Sequence, residues 1–185
     1  DVYKRQFEEW SGSKPMYIAA SSSDFFWDSG NHGSSSVSAF ATDLTTADSS
    51  VKVEGKYSAK LQSKKIVIKF AAGNLFIGKY LDTQKMNGIL GWGRSFTSRP
   101  VALTGYIRYT SGTVDNGGKY IENGEQDKGQ VFIALGDWEG QTYGGETWPL
   151  IVDTRDTATF FDPKGDNVIA YGEQTWDSST EGENM

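Results

Sequence analysis

Gly73-Asn74-Leu75-Phe76-Ile77-Gly78-Lys79-Tyr80-Leu81 is the stretch on which the fold reading turns. Its glycine spacing, followed by lysine, almost matches a phosphate-binding loop. That loop needs a Ser or Thr after the lysine to hold a metal, and a helix to follow. Tyr80 stands in the Ser/Thr place, and the segment alternates like a strand. From Leu75 to Leu81, apolar residues fall on both faces of a two-residue period. A strand in the interior of a sheet reads this way.

Working outward, the same period recurs. Val51 and Val53 alternate with Lys52 and Glu54, and Tyr57, Ala59 and Leu61 with Ser58, Lys60 and Gln62. Ile66, Ile68 and Phe70 face away from Lys65, Val67 and Lys69. Val101, Leu103, Ile107 and Tyr109 make one face of an expected long strand. Val131, Ile133 and Leu135 make one face of another, ending at Trp138, and Val168–Tyr171 is a further short strand. Weaker strand patterns fall at Phe7–Trp10, Met16–Ala19, Phe25–Trp27 and Thr159–Phe161. Turn residues separate these at Gly55, Gly73–Asn74, Asn87–Gly88, Asn116–Gly118, Asn123–Gly124 and Gly144–Gly145. Roughly ten short strands so punctuated predict an all-β protein, a jelly-roll-like antiparallel β-sandwich, as a single domain over 1–185. Residues 1–6 and 178–185 read as peripheral. The segment from Gly112 to Asp127 is a long polar loop, the kind that carries function on a sandwich.

Composition agrees. The 22 Gly against 4 Pro, with abundant Ser, Thr, Asn and Asp, favour turns and short strands. Ten Phe, nine Tyr and six Trp supply apolar area that the aliphatic residues alone would not. A net charge of −6 without a basic stripe argues against a nucleic-acid surface. The absence of cysteine removes disulfides, thiolate nucleophiles and Cys-based zinc sites. No apolar run reaches the length of a transmembrane helix.

The chemistry-bearing residues narrow the function. His32, the one histidine, lies in a Gly/Ser loop, which suits a surface residue better than a catalytic base. Glycoside hydrolysis needs two facing carboxyls. Glu8, Glu9, Glu122, Glu125, Asp127, Glu139, Glu146, Asp153 and Asp156 are the acids available for it, and spacing does not say which two converge. No cofactor is required by any motif. Glu8 and Glu9 with loop carbonyls are the candidates for a structural calcium. The aromatics give the strongest lead. Trp27, Trp92, Trp138, Trp148 and Trp176 lie in or beside Gly-, Ser- or Asp-rich segments. A sugar presents an apolar C–H face edged by hydroxyls. An aromatic ring fits that face, and Arg, Asn, Asp or Gln satisfy the hydroxyls. Asn74, Trp92, Arg94 and Arg99 are the first candidates for such a site, and Trp27, Trp138 and Tyr143 the second. Core packing is the competing role for each Trp, and Arg99 is equally suited to pinning its own loop through a carboxylate.

Several blocks, in order along the chain, resemble a known family. They are Phe7-Glu8-x-Trp10, Trp27 with Asn31, Gly55-x-Tyr57-Ser58-Ala59-x-Leu61, and Ala72-Gly73-Asn74-Leu75-Phe76-x-Gly78-Lys79. Then follow Gly93-x-x-Phe96-Thr97-x-Arg99-Pro100, Leu103-x-Gly105-Tyr106-x-x-Tyr109, Asp127-x-Gly129 and Val168-Ile169-Ala170-Tyr171-Gly172. The chain is similar over nearly its whole length to the "Putative carbohydrate metabolism domain" family of Bacteroidetes. The resemblance implies a jelly roll like those of carbohydrate-binding modules, with its C-terminal strands missing here. It implies export to the periplasm or outer surface, often as a lipid-anchored protein, and an immunoglobulin-like domain preceding this one. Some members are labelled glycoside hydrolases, and no catalytic residues carry over. The expected partner is an oligosaccharide or polysaccharide, bound without catalysis in extracellular glycan utilisation. A glycoside hydrolase using a carboxylate pair, and a structural or adhesion module, are the alternatives.

Overall fold

The computed structural model describes residues 7–21, 26–36, 40–66, 69–118 and 121–180. Residues 1–6, Phe25, Val67, Ile68 and 181–185, on which some of the expectations above fall, lie outside these. In chain order the strands are β1 (Ser11–Gly12), β2 (Met16–Tyr17), β3 (Trp27–Asp28), β4 (Thr45–Asp48), β5 (Ser58–Leu61), β6 (Lys64–Ile66) and β7 (Lys69–Ala71). They continue with β8 (Phe76–Gln84), β9 (Asn87–Trp92), β10 (Gly129–Gly136), β11 (Gln141–Tyr143), β12 (Glu146–Trp148), β13 (Leu150–Asp153) and β14 (Val168–Trp176). A short helix, α1, spans Asn31–Ser35, and a 3-10 turn spans Thr157–Thr159. All the strand pairings described are antiparallel, and they form several small sheets. The chain divides into two compact units, Asp1–Ser95 with Glu139–Phe161, and Phe96–Trp138 with Asp162–Met185.

The first unit is organised by a four-stranded sheet in the order β13-β9-β8-β3. β8 is interior, as its two-faced apolar pattern requires. The β8–β9 hairpin turns at Lys85–Met86, with Lys85 at φ 60, and not at Asn87–Gly88 as the dipeptide suggested. Asn87 and Gly88 are already in register opposite Gln84 and Thr83. Gly88 has another role. A Cβ there would sit 3.0 Å from the Tyr80 ring, so the glycine makes room for a core aromatic. A register shift between Tyr80 and Asp82 places one extra residue, Leu81, in β8. Such a bulge bends and twists its strand.

The apolar core of this unit is modest. Ile18, Ala19, Leu44, Ile66, Tyr80, Ile89, Trp148 and Val152 are its buried apolar and aromatic members. Beside it lies a buried polar network centred on Asn31, whose exposure is 0%. Its Nδ2 donates to the carbonyls of Met16 (3.0 Å) and Thr45 (2.7 Å). Its Oδ1 accepts from the backbone N–H groups of Leu44 and Thr45, both at 2.9 Å. One amide thus spends its two donors and both acceptor positions on two chain segments, at Met16 and at Leu44–Thr45. Asp28 is also buried. It accepts from the N–H of Ser29 (2.8 Å) and of Tyr80 (2.7 Å), which ties β3 to the bulged part of β8. Asp43 accepts from the N–H of Lys14 and of Met16, both at 2.9 Å, and closes the β1–β2 end onto the same network.

Other expectations meet these findings in detail. Val51–Val53 forms a bend, not a strand, held by the Asp48 carboxylate accepting from Ser50 and Val51 N–H. Phe7–Trp10 is not a strand either, and Thr159 closes the 3-10 turn. Polar β4, with sequence Thr-Thr-Ala-Asp, was not legible as a strand, because its stability comes from pairing with β5 and from Asn31.

The second unit is built on a long two-stranded ribbon, β10 with β14, in register from Gly129↔Trp176 to Gly136↔Val168 with a shift after Leu135. Trp176 is its buried aromatic. Within the segment 112–127, Thr113 and Gln126 form an isolated antiparallel bridge. Val114 N–H donates to Glu125 O and Gly124 N–H to Val114 O, each at 2.8 Å. Asp127 anchors its base, accepting from the Tyr109 hydroxyl (2.7 Å), Gly112 N–H (2.6 Å) and the Ser111 hydroxyl (3.0 Å). The long strand expected at 101–109 is not formed. Val101, Leu103 and Tyr106 are exposed, and Tyr109 is held through Thr180 and Asp127. Alternation selects a face, but a strand also needs a neighbouring edge to bond to.

Replacing Asn31 with Ala removes four hydrogen bonds and leaves two buried N–H groups and two carbonyls without partners. At about 1–3 kcal/mol for each stranded group, with partial relaxation, the expected loss is at least about 3 kcal/mol. Urea unfolding followed by tryptophan fluorescence measures it. A loss below about 1 kcal/mol would show that the network is not what holds these segments.

Candidate functional site

The site begins with glycines that let large rings approach the sheet. Gly91 in β9 is buried, and a Cβ there would lie 2.4 Å from the Trp148 ring. The indole therefore packs flat on bare backbone. Gly78 in β8 has φ 147, and a Cβ there would meet Gly91 O at 2.0 Å, so only glycine permits this close pairing of β8 with β9. The β11–β12 hairpin delivers Trp148. Its Gly144–Gly145 turn, with φ 58 and 85, is the two-residue turn legible in the sequence.

Strand alternation then sorts the side chains. Trp27 pairs with Ile77, and Lys79, two residues on, pairs with Gly91, so all four share the face that Trp148 covers. On that face the Arg94 guanidinium lies 4.3 Å above the Trp148 ring, a cation–π contact. Burial lowers the Arg94 pKa, while the charges of Glu146 and Asp28 act in the opposite direction. Lys79 Nζ pairs with Glu146 Oε1 at 2.6 Å. Trp27 is half-buried, its ring held 5.6 Å from both Phe7 and Phe26. Trp148 is buried, and its indole N–H has no hydrogen-bond partner among the described residues. The face thus combines one half-exposed ring with two cations and a carboxylate.

The expected residues do not all gather there. Trp92 follows Gly91 and projects to the opposite face, where its half-buried ring lies 6.0 Å from Phe76. Asn74 is exposed and also braces the backbone. Its Oδ1 accepts from Gly30 N–H (2.7 Å), its Nδ2 donates to Ala72 O (3.2 Å), and its carbonyl accepts from the Thr45 hydroxyl (2.6 Å). Tyr143 donates its hydroxyl to Asp82 at 2.6 Å. Trp138 and Arg99 belong to the second unit, where Trp138 packs on Gly136 and Arg99 is exposed. The Glu8 carboxylate accepts from Lys56 N–H at 2.7 Å and fills the space beside Gly55, while Glu9 is exposed. Among the described residues, no group of three or more His, Asp or Glu gathers as a metal site would require, and no helix is long and apolar enough to cross a membrane.

The acids proposed for catalysis are committed elsewhere in several cases. Asp153 forms a bidentate pair with Arg155, which holds its carboxyl below the ordinary value. Asp156 caps the 3-10 turn. Burial opposes ionisation of Asp127, but hydrogen bonds from Gly112, Tyr109 and Ser111 outweigh it and keep that carboxyl low. Tyr109 in turn is pushed up to about 12, by burial first and by Asp127 second.

A family model, the "Putative carbohydrate metabolism domain", matches residues 6–183. The chain belongs to that family. No curated protein and no solved structure matches it. The blocks that carry the family resemblance have mixed duties in this structure. Gly73, Asn74 and Gly78 hold the framework, since a Cβ on Gly73 would meet Gln62 N at 2.5 Å. Lys79 and the Trp92–Arg94 segment reach the two faces of the sheet. Lys79 and Glu146 were not singled out as ligand-binding residues from the sequence. The only signal for them was the two-residue period, which sets Lys79 on the face of Gly91 once the β8–β9 register is known.

Two outcomes test this geometry. Gly91→Ala should drive Trp148 off the sheet, at about 1–3 kcal/mol for overpacking, with a changed tryptophan emission spectrum. The Tyr143 and Gln84 hydrogen bonds hold the Asp82 carboxyl below its usual value. Its ionised form therefore contributes stability that is present above the unfolded pKa and lost as pH falls through the folded one. Tyr143→Phe should move the Asp82 titration up, toward that of an ordinary aspartate, by carbon-13 NMR. An unmoved titration would mean that this hydrogen bond is not made.

Proposed function

We propose that this domain binds carbohydrate without catalysis, in extracellular glycan utilisation, by ring stacking combined with polar side chains. The observation that carries the reading is the face of the first unit's sheet where half-buried Trp27 lies with Arg94, Lys79 and Glu146. A ring supports the C–H face of a pyranose, and fixed donors and an acceptor meet its hydroxyls. Membership of a carbohydrate-metabolism family supports the same class of ligand.

Two of the acids open to a catalytic role, Asp127 and Asp153, are held as anions by the Gly112, Tyr109 and Ser111 hydrogen bonds and by Arg155, which does not suit a general acid. In this reading the small antiparallel sheets are parts of a jelly-roll-like sandwich. The protein that carries it acts in the periplasm or at the outer surface, lipid-anchored and with an immunoglobulin-like domain ahead of this one.

A glycan array, followed by titration of the best ligand, tests the proposal. Trp27→Ala should weaken binding about tenfold, the loss of one stacking ring. Arg94→Lys keeps the charge and removes the planar fork over Trp148, and should weaken it about threefold or more. Absence of any glycan ligand for the intact chain would overturn the reading.

A further inference from the structure

The β10–β14 ribbon of the second unit has an outward face that none of the preceding roles uses. Cross-strand partners share a face, so the register places Gln130 with Thr175, Phe132 with Glu173, and Ala134 with Tyr171 on one side. Val131, Ile133 and Leu135 take the other side and are half-buried. The outward side is solvent-exposed at its two rings, Phe132 at 38% and Tyr171 at 37%. These rings stand diagonally across the strands with centroids 6.1 Å apart and planes inclined by 42°. They form a shallow, bent apolar platform.

Polar groups flank the platform and converge on one carboxylate. The Tyr171 hydroxyl donates to Glu173 Oε2, and Gln130 Nε2 lies 3.3 Å from the same oxygen. Thr175 continues the row on β14. Glu173 is the one charged residue in the two strands. Acceptors and donors with no cation in either strand suit hydroxyls, and the Glu173 carboxylate repels a carboxylated or sulfated sugar. Purely apolar partners would leave the Glu173 carboxylate desolvated without compensation.

We propose that this ribbon face is a carbohydrate platform for neutral glycans, with Phe132 and Tyr171 stacking on sugar C–H faces and Glu173 and Gln130 bonding the hydroxyls. The inference rests on the reading of the chain as a carbohydrate binder, and it adds a site on the second unit and a ligand class.

Affinity gel electrophoresis of the full chain in hydroxyethyl cellulose, xyloglucan and galactomannan, with polygalacturonate as the anionic comparison, tests it. At least one neutral polysaccharide should retard the chain, and polygalacturonate should not. Phe132→Ala and Tyr171→Ala should each weaken that retardation about tenfold. Tyr171→Phe and Glu173→Gln retain both rings and the backbone pairing, and should each weaken it about threefold or more. They decide the matter should the alanine variants not fold by circular dichroism. Unchanged retardation in these ring and carboxylate variants, with loss in Trp27→Ala, overturns the ribbon platform and leaves the first site standing. Stronger retardation by polygalacturonate overturns the neutral class. A self-associating chain that Phe132→Ala renders monomeric overturns the platform in favour of a contact between copies. No retardation of the intact chain by any neutral polysaccharide overturns the ribbon platform, and only the further absence of any ligand on the glycan array removes the first site as well.

Discussion

The Asn31 side chain is the point on which the first unit depends. Its amide is fully enclosed and fully bonded, to β2, to the Leu44 N–H and to β4. None of these segments carries enough apolar surface to place itself. β4 is polar, β1 and β2 are two residues each, and α1 is five residues, too short to be stable alone. A buried amide with every hydrogen bond satisfied specifies geometry in a way that a small core does not. Asp28, Ser29 and Thr45 extend the same logic, tying β3 to β8 and β4 to Asn74.

The candidate site inherits its precision from that sheet. Missing side chains at Gly78 and Gly91 let β8 and β9 approach closely and let Trp148 lie on the backbone. Trp148 then serves as the base on which Arg94 rests. A buried ring 4.3 Å beneath the guanidinium restricts the rotamers open to that arginine. Trp92 makes the same point in reverse. It is next to Gly91 in sequence but on the opposite face of the sheet, because adjacent residues in a strand diverge.

How much of this was legible varies with the physical origin of each feature. The all-β character, the interior place of β8, the Gly144–Gly145 turn and the β10 and β14 strands follow from periodicity and turn chemistry, which are local. The Asn87–Gly88 turn was misplaced because glycine there serves the Tyr80 ring, a tertiary demand that looks identical in sequence. The 101–109 strand was expected from alternation, yet the segment lies exposed, since hydrogen-bonding edges come from elsewhere in the chain. Asn74 reads as a ligand-binding amide, and its bracing bond to Gly30, 44 residues away, was not legible.

The sequence by itself determined the class of structure and the chemistry on offer: antiparallel strands, abundant rings, acidic balance, no thiols. Those properties belong to single residues and short windows, so they survive without coordinates. Only the tertiary structure decided which rings are enclosed, which acids are spent on hydrogen bonds, and which side chains share a face. Burial and register are set by partners distant along the chain. One step of register exchanges the two faces of a strand, and no local pattern fixes that step.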